Sequence, residues 1–342
     1  MTRRIAVFTG TRADYGLLQW LMHGLKESPD FELCVMASGT HLSPEFGLTA
    51  SAIEQDGFTI TEKVEMLLSS DSPVGVAKSM GLGMIGYADA LQRLAPDAIV
   101  ILGDRFEALA AAQTALVMRI PIVHVHGGEI TEGAYDDAIR HAISKMAHLH
   151  FASCESHRRR LIQMGEEPSR VFNVGAVGLE HLVHTPLLDR RGLSESLSFD
   201  VDKRPFMLVS FHPTTAAIDR PQDSYSALLE ALDHFSGHAK IITYSNADNG
   251  GRELIALARR YQSLNKDDVL LTPSLGQKRY LSAMKYAALV VGNSSSGIIE
   301  APAFGVASVN IGDRQKGRLC AESVIHCGNS CNDVVTAIHV AL

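Results

Sequence analysis

Five cysteines in 342 residues, with no C-x-x-C pair among them, supply neither a disulfide framework nor a common zinc pattern. Cys320, Cys327 and Cys331 lie near His326, but their spacing matches no usual ligand set, and no metal is expected. No apolar run approaches the ~20 residues that span a bilayer. The opening MTRRIAVFTG has two arginines, a short apolar stretch and no small-residue cleavage site, and it reads as a strand rather than a secretion signal. Positive charge is not in excess: the formal net charge is -7, which disfavours nucleic acid and anionic membranes as partners. These absences describe a reduced, cytoplasmic protein with a small-molecule partner. Low-complexity segments and short-period repeats are missing too. So is the G-x-G-x-x-G turn that a nicotinamide-binding protein carries after its first strand. In TGTRADYGLL (9–18) a single glycine, Gly10, precedes Arg12 and Asp14.

What the chain does have is a recurrent alternation. Short, nearly continuous apolar runs at 4–10, 31–38, 97–104, 120–127, 149–153 and 170–176 are separated by segments of helical period. After a gap the pattern restarts at 205–212, 239–245, 269–273, 288–294, 307–312 and 323–327. Apolar strands alternating with helices imply parallel sheets covered on both faces. Two such series predict an α/β chain of two Rossmann-like, doubly wound domains with a cleft between them. The expected division is 1–184, carrying most of the acids; a polar linker at 185–204; and 205–342.

Ligands of open parallel sheets bind outside the carboxyl ends of the strands, where this chain places Gly, Ser, His, Arg and acids. VVGNSSSGIIEAPAFG (290–305) is the sharpest phosphate signal: a strand, then Ser294, Ser295, Ser296 and Gly297 opening a helix whose start favours an anion. Plain serine capping would need only one of them. Glu300, one turn in, is suited to ribose hydroxyls. Arg314 and Arg318 in GDRQKGR offer bidentate bonds to phosphate. His41 in SGTH and Asn246 in SNAD also stand at strand ends, as candidate substrate contacts. Asp104 ends an apolar strand and is followed by Arg105; with Glu107 it also fits a capping arrangement, and spacing alone does not separate cap from catalyst.

VHVHGGEITEGAYDDAIRHAISK (123–145) is the densest cluster. His124 and His126 share a strand face by the period of two. Glu129 follows two glycines, and Asp136 and Asp137 open a helix in which Asp136 and Arg140 stand four apart, as an ordinary helix ion pair does. His124, deeper in the strand, suits a satisfied core histidine. H-x-H with nearby acids also suits a metal-dependent hydrolase. His212 in SFHPTT can act as acid, base or phosphate donor. GLGMIG (81–86) matches the dinucleotide fingerprint literally, yet it lies between helical segments and is read as a decoy.

TGTRADYG, SGTHLSPEFG, LGDRFEALA, HGGE…DDAIRHAISK, FHPTT, SNADNGG, GNSSSGIIEAPAFG and GDRQKGR together resemble the hydrolysing UDP-sugar 2-epimerases, in family order over almost the whole chain. The resemblance implies the glycosyltransferase-B architecture, no cofactor, a UDP-sugar substrate with UDP as product, and a homodimer or homotetramer. It implies catalytic acids at Asp104 and Asp136, a functional histidine at His212, and uridine-diphosphate contacts at Arg12, Ser294, Ser295, Glu300 and Arg314. His126 stands where the family usually has an acid, so either His126 or Glu129 takes that acid–base role. Gly16 stands where relatives often have serine, and relatives usually continue beyond the final VVTAIHVAL into another helix. The implied reaction is anti elimination of UDP from a UDP-2-acetamido sugar, then water addition giving the free manno-configured sugar. UDP-N-acetylglucosamine and UDP-2,4-diacetamido-2,4,6-trideoxyglucose are both candidate substrates. A glycosyltransferase of the same fold and a non-catalytic nucleotide-sugar-binding protein are the rival readings.

Overall fold

The computed structural model describes residues 2–70, 72–132, 135–213, 221–245 and 251–342. The chain forms two compact units, Met1–Ile130 with Tyr135–His181, and Thr131–Ala134 with Leu182–Leu342. Among the described residues no helix is long and apolar enough to cross a membrane.

In chain order the first unit contributes β1 (Arg3–Thr9), β2 (Phe31–Ser38), β3 (Ile60–Val64), β4 (Ala98–Leu102), β5 (Ile122–Val125), β6 (Leu149–Ala152) and β7 (Val171–Asn173). All pair in parallel in the order β3-β2-β1-β4-β5-β6-β7. Its helices are α1 (Arg12–Glu27), α2 (Ala50–Gln55), α3 (Pro73–Leu94), α4 (Phe106–Val117), α5 (Asp136–Met146) and α6 (Glu155–Gln163); α7 (Glu180–His184) runs across the division. The central strands are apolar on both faces because helices cover both. β5 is buried at every position, and each fully buried Ile, Val or Leu contributes about 1.5–3 kcal/mol. β3, absent from the expected strands, is an edge strand whose ITEKV alternates and carries charge, as edges do.

The decoy glycines have a packing reason. A Cβ on Gly86 would come within 2.5 Å of a Val64 methyl, and one on Gly83 within 3.1 Å of Met66 and Tyr87. They let α3 lie close against β3 and the turn after it.

The second unit holds α8 (Arg190–Leu197), β8 (Phe206–Ser210), α9 (Pro221–Asp233), β9 (Ala239–Thr243), α10 (Gly251–Leu264), β10 (Val269–Thr272), α11 (Gly276–Tyr286), β11 (Leu289–Gly292), α12 (Ser296–Ala303), β12 (Ser308–Ile311), β13 (Val324–Cys327) and α13 (Cys331–Ala341). Its parallel sheet runs β10-β9-β8-β11-β12-β13. The stretch 185–204, expected as a linker, is instead partly structural. It contains α8, and Leu193 and Val201 are fully buried in the core that β8 and β9 build with Phe206, Leu208 and Ile241. Its polar composition hides one apolar residue per turn.

Both sheets have the doubly wound order, with a topological switch between β1 and β4 in the first and between β8 and β11 in the second. Such switches open a crevice at the carboxyl ends of the two strands. In the first unit the chain leaves those strands at Gly10–Asp14 and Gly103–Arg105, and in the second at Phe211–His212 and Asn293–Ser296.

Candidate active site

The loop after β1 is shorter than its sequence suggests. α1 begins at Arg12, so Arg12 and Asp14 sit on its first turn rather than in a loop. Thr11 is the cap, its hydroxyl accepting from the Asp14 N–H at 3.2 Å. Arg12 is exposed. Burial pushes the Asp14 carboxyl up, and Arg105, with Nε 3.9 Å away, pulls it back.

Asp104, after β4, is not a helix cap: the cap of α4 is Arg105, whose side chain makes no capping bond. Asp104 instead receives the guanidinium of Arg140, which donates to its Oδ2. Arg140 is 1% exposed and is a hub. It also donates to the Glu129 carbonyl at 3.0 Å and to Asp137 Oδ1 at 3.3 Å. Arg140 is thus not the solvated member of an ordinary helix pair but a buried cation drawing three chain segments together. Asp136 opens α5 within electrostatic reach of Glu107.

His124 and His126 do not share a strand face. β5 ends at Val125, and His126 has φ 64°, a left-handed conformation that costs a non-glycine residue about 1–2 kcal/mol. His124 is fully buried, with Nδ1 3.0 Å from Ser144 Oγ and Nε2 2.8 Å from the Gly103 carbonyl. It braces β4 against α5, and burial lowers its pKa to about 4. His126 Nε2 accepts from the Val177 N–H at 3.2 Å, so the proton sits on Nδ1, which faces Glu129 Oε1 at 3.1 Å. Ser153 Oγ donates to the same oxygen at 2.8 Å. Gly128 explains the double glycine: its φ is 78°, and a Cβ there would stand 2.5 Å from the His157 carbonyl oxygen.

In the second unit Asn293 clasps the end of β8. It accepts from the His212 N–H at 2.7 Å and donates to the His212 carbonyl at 2.8 Å. Its own carbonyl accepts from Arg314 Nη1 at 3.1 Å and Gln315 Nε2 at 2.9 Å. His212 is 9% exposed; burial first, then Arg314, lowers its pKa to about 3, so it enters as a neutral ring.

Ser295 caps α12 without a side-chain cap bond. Ser296 donates its hydroxyl to Ser294 Oγ at 2.9 Å and stands 2.6 Å from the Tyr280 hydroxyl. Ser210 and Thr243 extend this hydroxyl chain to the sheet. Gly292 has φ 139°, and a Cβ there would overlap the Ser210 carbonyl oxygen at 2.0 Å. Only glycine lets β11 release its chain so close to β8. Glu300 follows on α12, half-buried. The helix start presents N–H groups and hydroxyls suited to an anion, with Arg314 beside it.

Residues 23–342 match the UDP-N-acetylglucosamine 2-epimerase family. The chain belongs to that family. It is 43% identical over 323 residues to the GDP/UDP-N,N'-diacetylbacillosamine 2-epimerase (hydrolyzing) of Campylobacter jejuni, covering 94% of this chain and 84% of that protein. It is 34% identical to the UDP-N,N'-diacetylbacillosamine 2-epimerase (hydrolyzing) of Legionella pneumophila, covering 100% of this chain and 89% of the relative. The fold matches the crystal structure of the Neisseria meningitidis UDP-GlcNAc 2-epimerase bound to UDP-GlcNAc, with TM-score 0.81, 17% identity, and 98% and 90% of the two chains covered.

Within this 2-epimerase fold, Arg12, Asp104, Arg105, Glu129 and Asp136 gather at the carboxyl side of the first sheet. His212, Ser294, Ser295, Glu300 and Arg314 gather at that of the second. His41 does not join them: it is fully buried, with Nε2 2.9 Å from Thr9 Oγ1 and Nδ1 2.8 Å from Thr49 Oγ1. Burial lowers its pKa to about 4, and it braces β1 against the turn after β2. Asn246 lies outside the described residues. Among the described residues no group of three or more His, Cys, Asp or Glu could hold a metal ion. Sequence reasoning missed the hub role of Arg140 and passed over Glu107, which is 1% exposed. Glu107 could have been flagged as the one charged residue in FEALAAAQTALV, an otherwise nearly all-apolar helix.

Proposed function

We propose that this chain is a hydrolysing 2-epimerase that converts a UDP-2-acetamido sugar into the free manno-configured sugar and UDP. The observation that carries the reading is the Arg140 hub, which holds Asp104 at the end of β4 and ties it to the Glu129 and Asp137 segments. A protein that only bound a nucleotide sugar would have no use for a buried cation organising carboxylates, and a glycosyltransferase would leave the HGGE…DDAIRH acids without a purpose.

C2 of such a sugar is not adjacent to a carbonyl, so its proton is poorly acidic until the C1–oxygen bond to the diphosphate begins to break. Departing negative charge is accommodated by the α12 start, Arg314 and neutral His212. One carboxylate takes the C2 proton as UDP leaves, forming a C1=C2 glycal. Water then adds its hydroxyl to C1, and a proton returns to C2 on the opposite face. Asp104 and Asp136 are assigned to these transfers, with Arg12 and Arg105 steering the anionic substrate. Glu129 is the better candidate than His126 for the remaining acid–base role, because both nitrogens of His126 are occupied by Val177 and Glu129. The 43% and 34% identities to enzymes named for diacetylbacillosamine favour UDP-2,4-diacetamido-2,4,6-trideoxyglucose over UDP-N-acetylglucosamine.

The test is UDP release from both sugars in D2O. The expected product is a free sugar carrying deuterium at C2, formed faster from the diacetamido substrate. Unlabelled product, or sugar transferred only to an added acceptor, overturns the reading.

A further inference from the structure

Glu107 occupies the first turn of α4, 1% exposed, and its Oε2 has no hydrogen-bond partner among the described residues. The fold makes room for this carboxyl on two sides. A Cβ on Gly10, after β1, would meet the Glu107 Cβ at 3.4 Å, and one on Gly39, after β2, would meet its Oε1 at 3.3 Å. The charged and titratable groups facing it are Arg105 at the start of α4, Asp14 of α1, Asp136 of α5 and Tyr87 of α3. Glu107 thus shares its surroundings with two other carboxyl groups and one guanidinium, and Arg105 already lies 3.9 Å from Asp14. A buried carboxylate with an unbonded oxygen, whose facing cation is shared with Asp14, is disfavoured against the neutral acid.

Resting on the function read above, we propose that Glu107 is a positioning residue that works in its neutral form: as a carboxylic acid it leaves Arg105 to Asp14 and the substrate, and its ionisation turns the site off. Once ionised, Glu107 competes for Arg105 and adds a negative charge where an anionic substrate must approach. Burial pushes its pKa up to about 7; Arg105 and the residue's own backbone N–H oppose the rise, and Asp14 and Asp136 add to it. The switch therefore falls in the neutral range.

The experiment is the pH profile of kcat/KM for UDP release by wild type, Glu107→Ala and Glu107→Gln. Alanine removes the buried group and lowers activity at every pH. Glutamine, isosteric with the neutral acid, restores activity to within about threefold of wild type at pH 6. One pH unit above the wild-type midpoint it exceeds wild type about tenfold, because it has no proton to lose. A Gln variant that keeps the wild-type alkaline limb, or one as inactive as Ala, overturns the proposal. If neither variant folds, wild type decides: a profile flat from pH 6 to 8 overturns it, and a fall across that range supports it. A wild type inactive on every UDP-2-acetamido sugar would sink the function, not the protonation state. That state is read separately in the infrared, as a carboxylic-acid C=O band at pH 6 present in wild type and lost in Glu107→Gln. Its absence from wild type overturns the proposal.

Discussion

Removing the charge from either end of the Asp104–Arg140 pair separates chemistry from scaffolding. The two ends are unequal: the Arg140 side chain is 2% exposed and that of Asp104 is 22% exposed. Asp104→Asn leaves Arg140 bonded to Asp137 and the Glu129 carbonyl, and the amide oxygen can still accept, so the cost is about 1–2 kcal/mol. Arg140→Met strips the hub from three acceptors and strands Asp104, a change of about 3–5 kcal/mol. At roughly 2–4 °C per kcal/mol for a domain of 150–250 residues, the melting temperature falls by about 2–8 °C in the first variant and about 6–20 °C in the second. Activity should rank the other way per unit of stability lost. Asp104→Asn loses a proton-transfer group and about 10²–10⁴-fold in kcat, while its UDP affinity, measured by calorimetry, stays within about threefold of wild type. Arg140→Met, assayed well below its melting temperature, loses less kcat than Asp104→Asn. Wild-type turnover in Asp104→Asn would refute the assignment. So would a loss of turnover that merely follows the unfolded fraction, for then Asp104 only holds Arg140.

Two further outcomes follow from buried groups. The unfolded chain takes up a proton near the ordinary histidine value of 6.5, whereas folded His124 holds off until about 4. The stability this ring contributes is full above about 6.5 and is lost as pH falls towards 4, at about 1.4 kcal/mol per pH unit. Denaturant titrations of His124→Gln should therefore show a pH slope flatter than wild type by about one proton in that window, and identical slopes would contradict the assigned burial. Gly292→Ala places a methyl 2.0 Å from the Ser210 carbonyl oxygen, so the exits of β8 and β11 must part. UDP affinity is expected to drop at least tenfold and stability by about 3 kcal/mol or more, a backbone clash being costlier than a rotamer change. Unchanged UDP binding in a folded Gly292→Ala would remove the α12 start from the diphosphate site.

The two doubly wound units were legible because parallel strands covered on both faces must be apolar at nearly every position, and β4, β5, β8 and β11 are. β3 was not, since an edge strand alternates and ITEKV looks like loop. The strand ends were legible for the same reason, and with them the exits at Asp104, His212 and Asn293. What the pattern does not carry is the pairing of groups distant along the chain. Asp104 and Arg140 are 36 residues apart. On a solvated helix the Asp136–Arg140 spacing implies a pair worth about 0.3–0.5 kcal/mol, and nothing local says that α5 will deliver Arg140 against the end of β4. Burial then changes the meaning of the residue, because a desolvated guanidinium is tolerated only where several acceptors converge on it. Glu107 follows the same logic with the opposite outcome. It too is carried into the interior by a helix, but Arg105, the cation that acts on it, lies 3.9 Å from Asp14, so neutrality is the cheaper state. The same first sheet thus holds one carboxyl charged and another neutral within a few residues of each other, and that division follows from where α5 and α1 deliver their arginine and aspartate rather than from any motif.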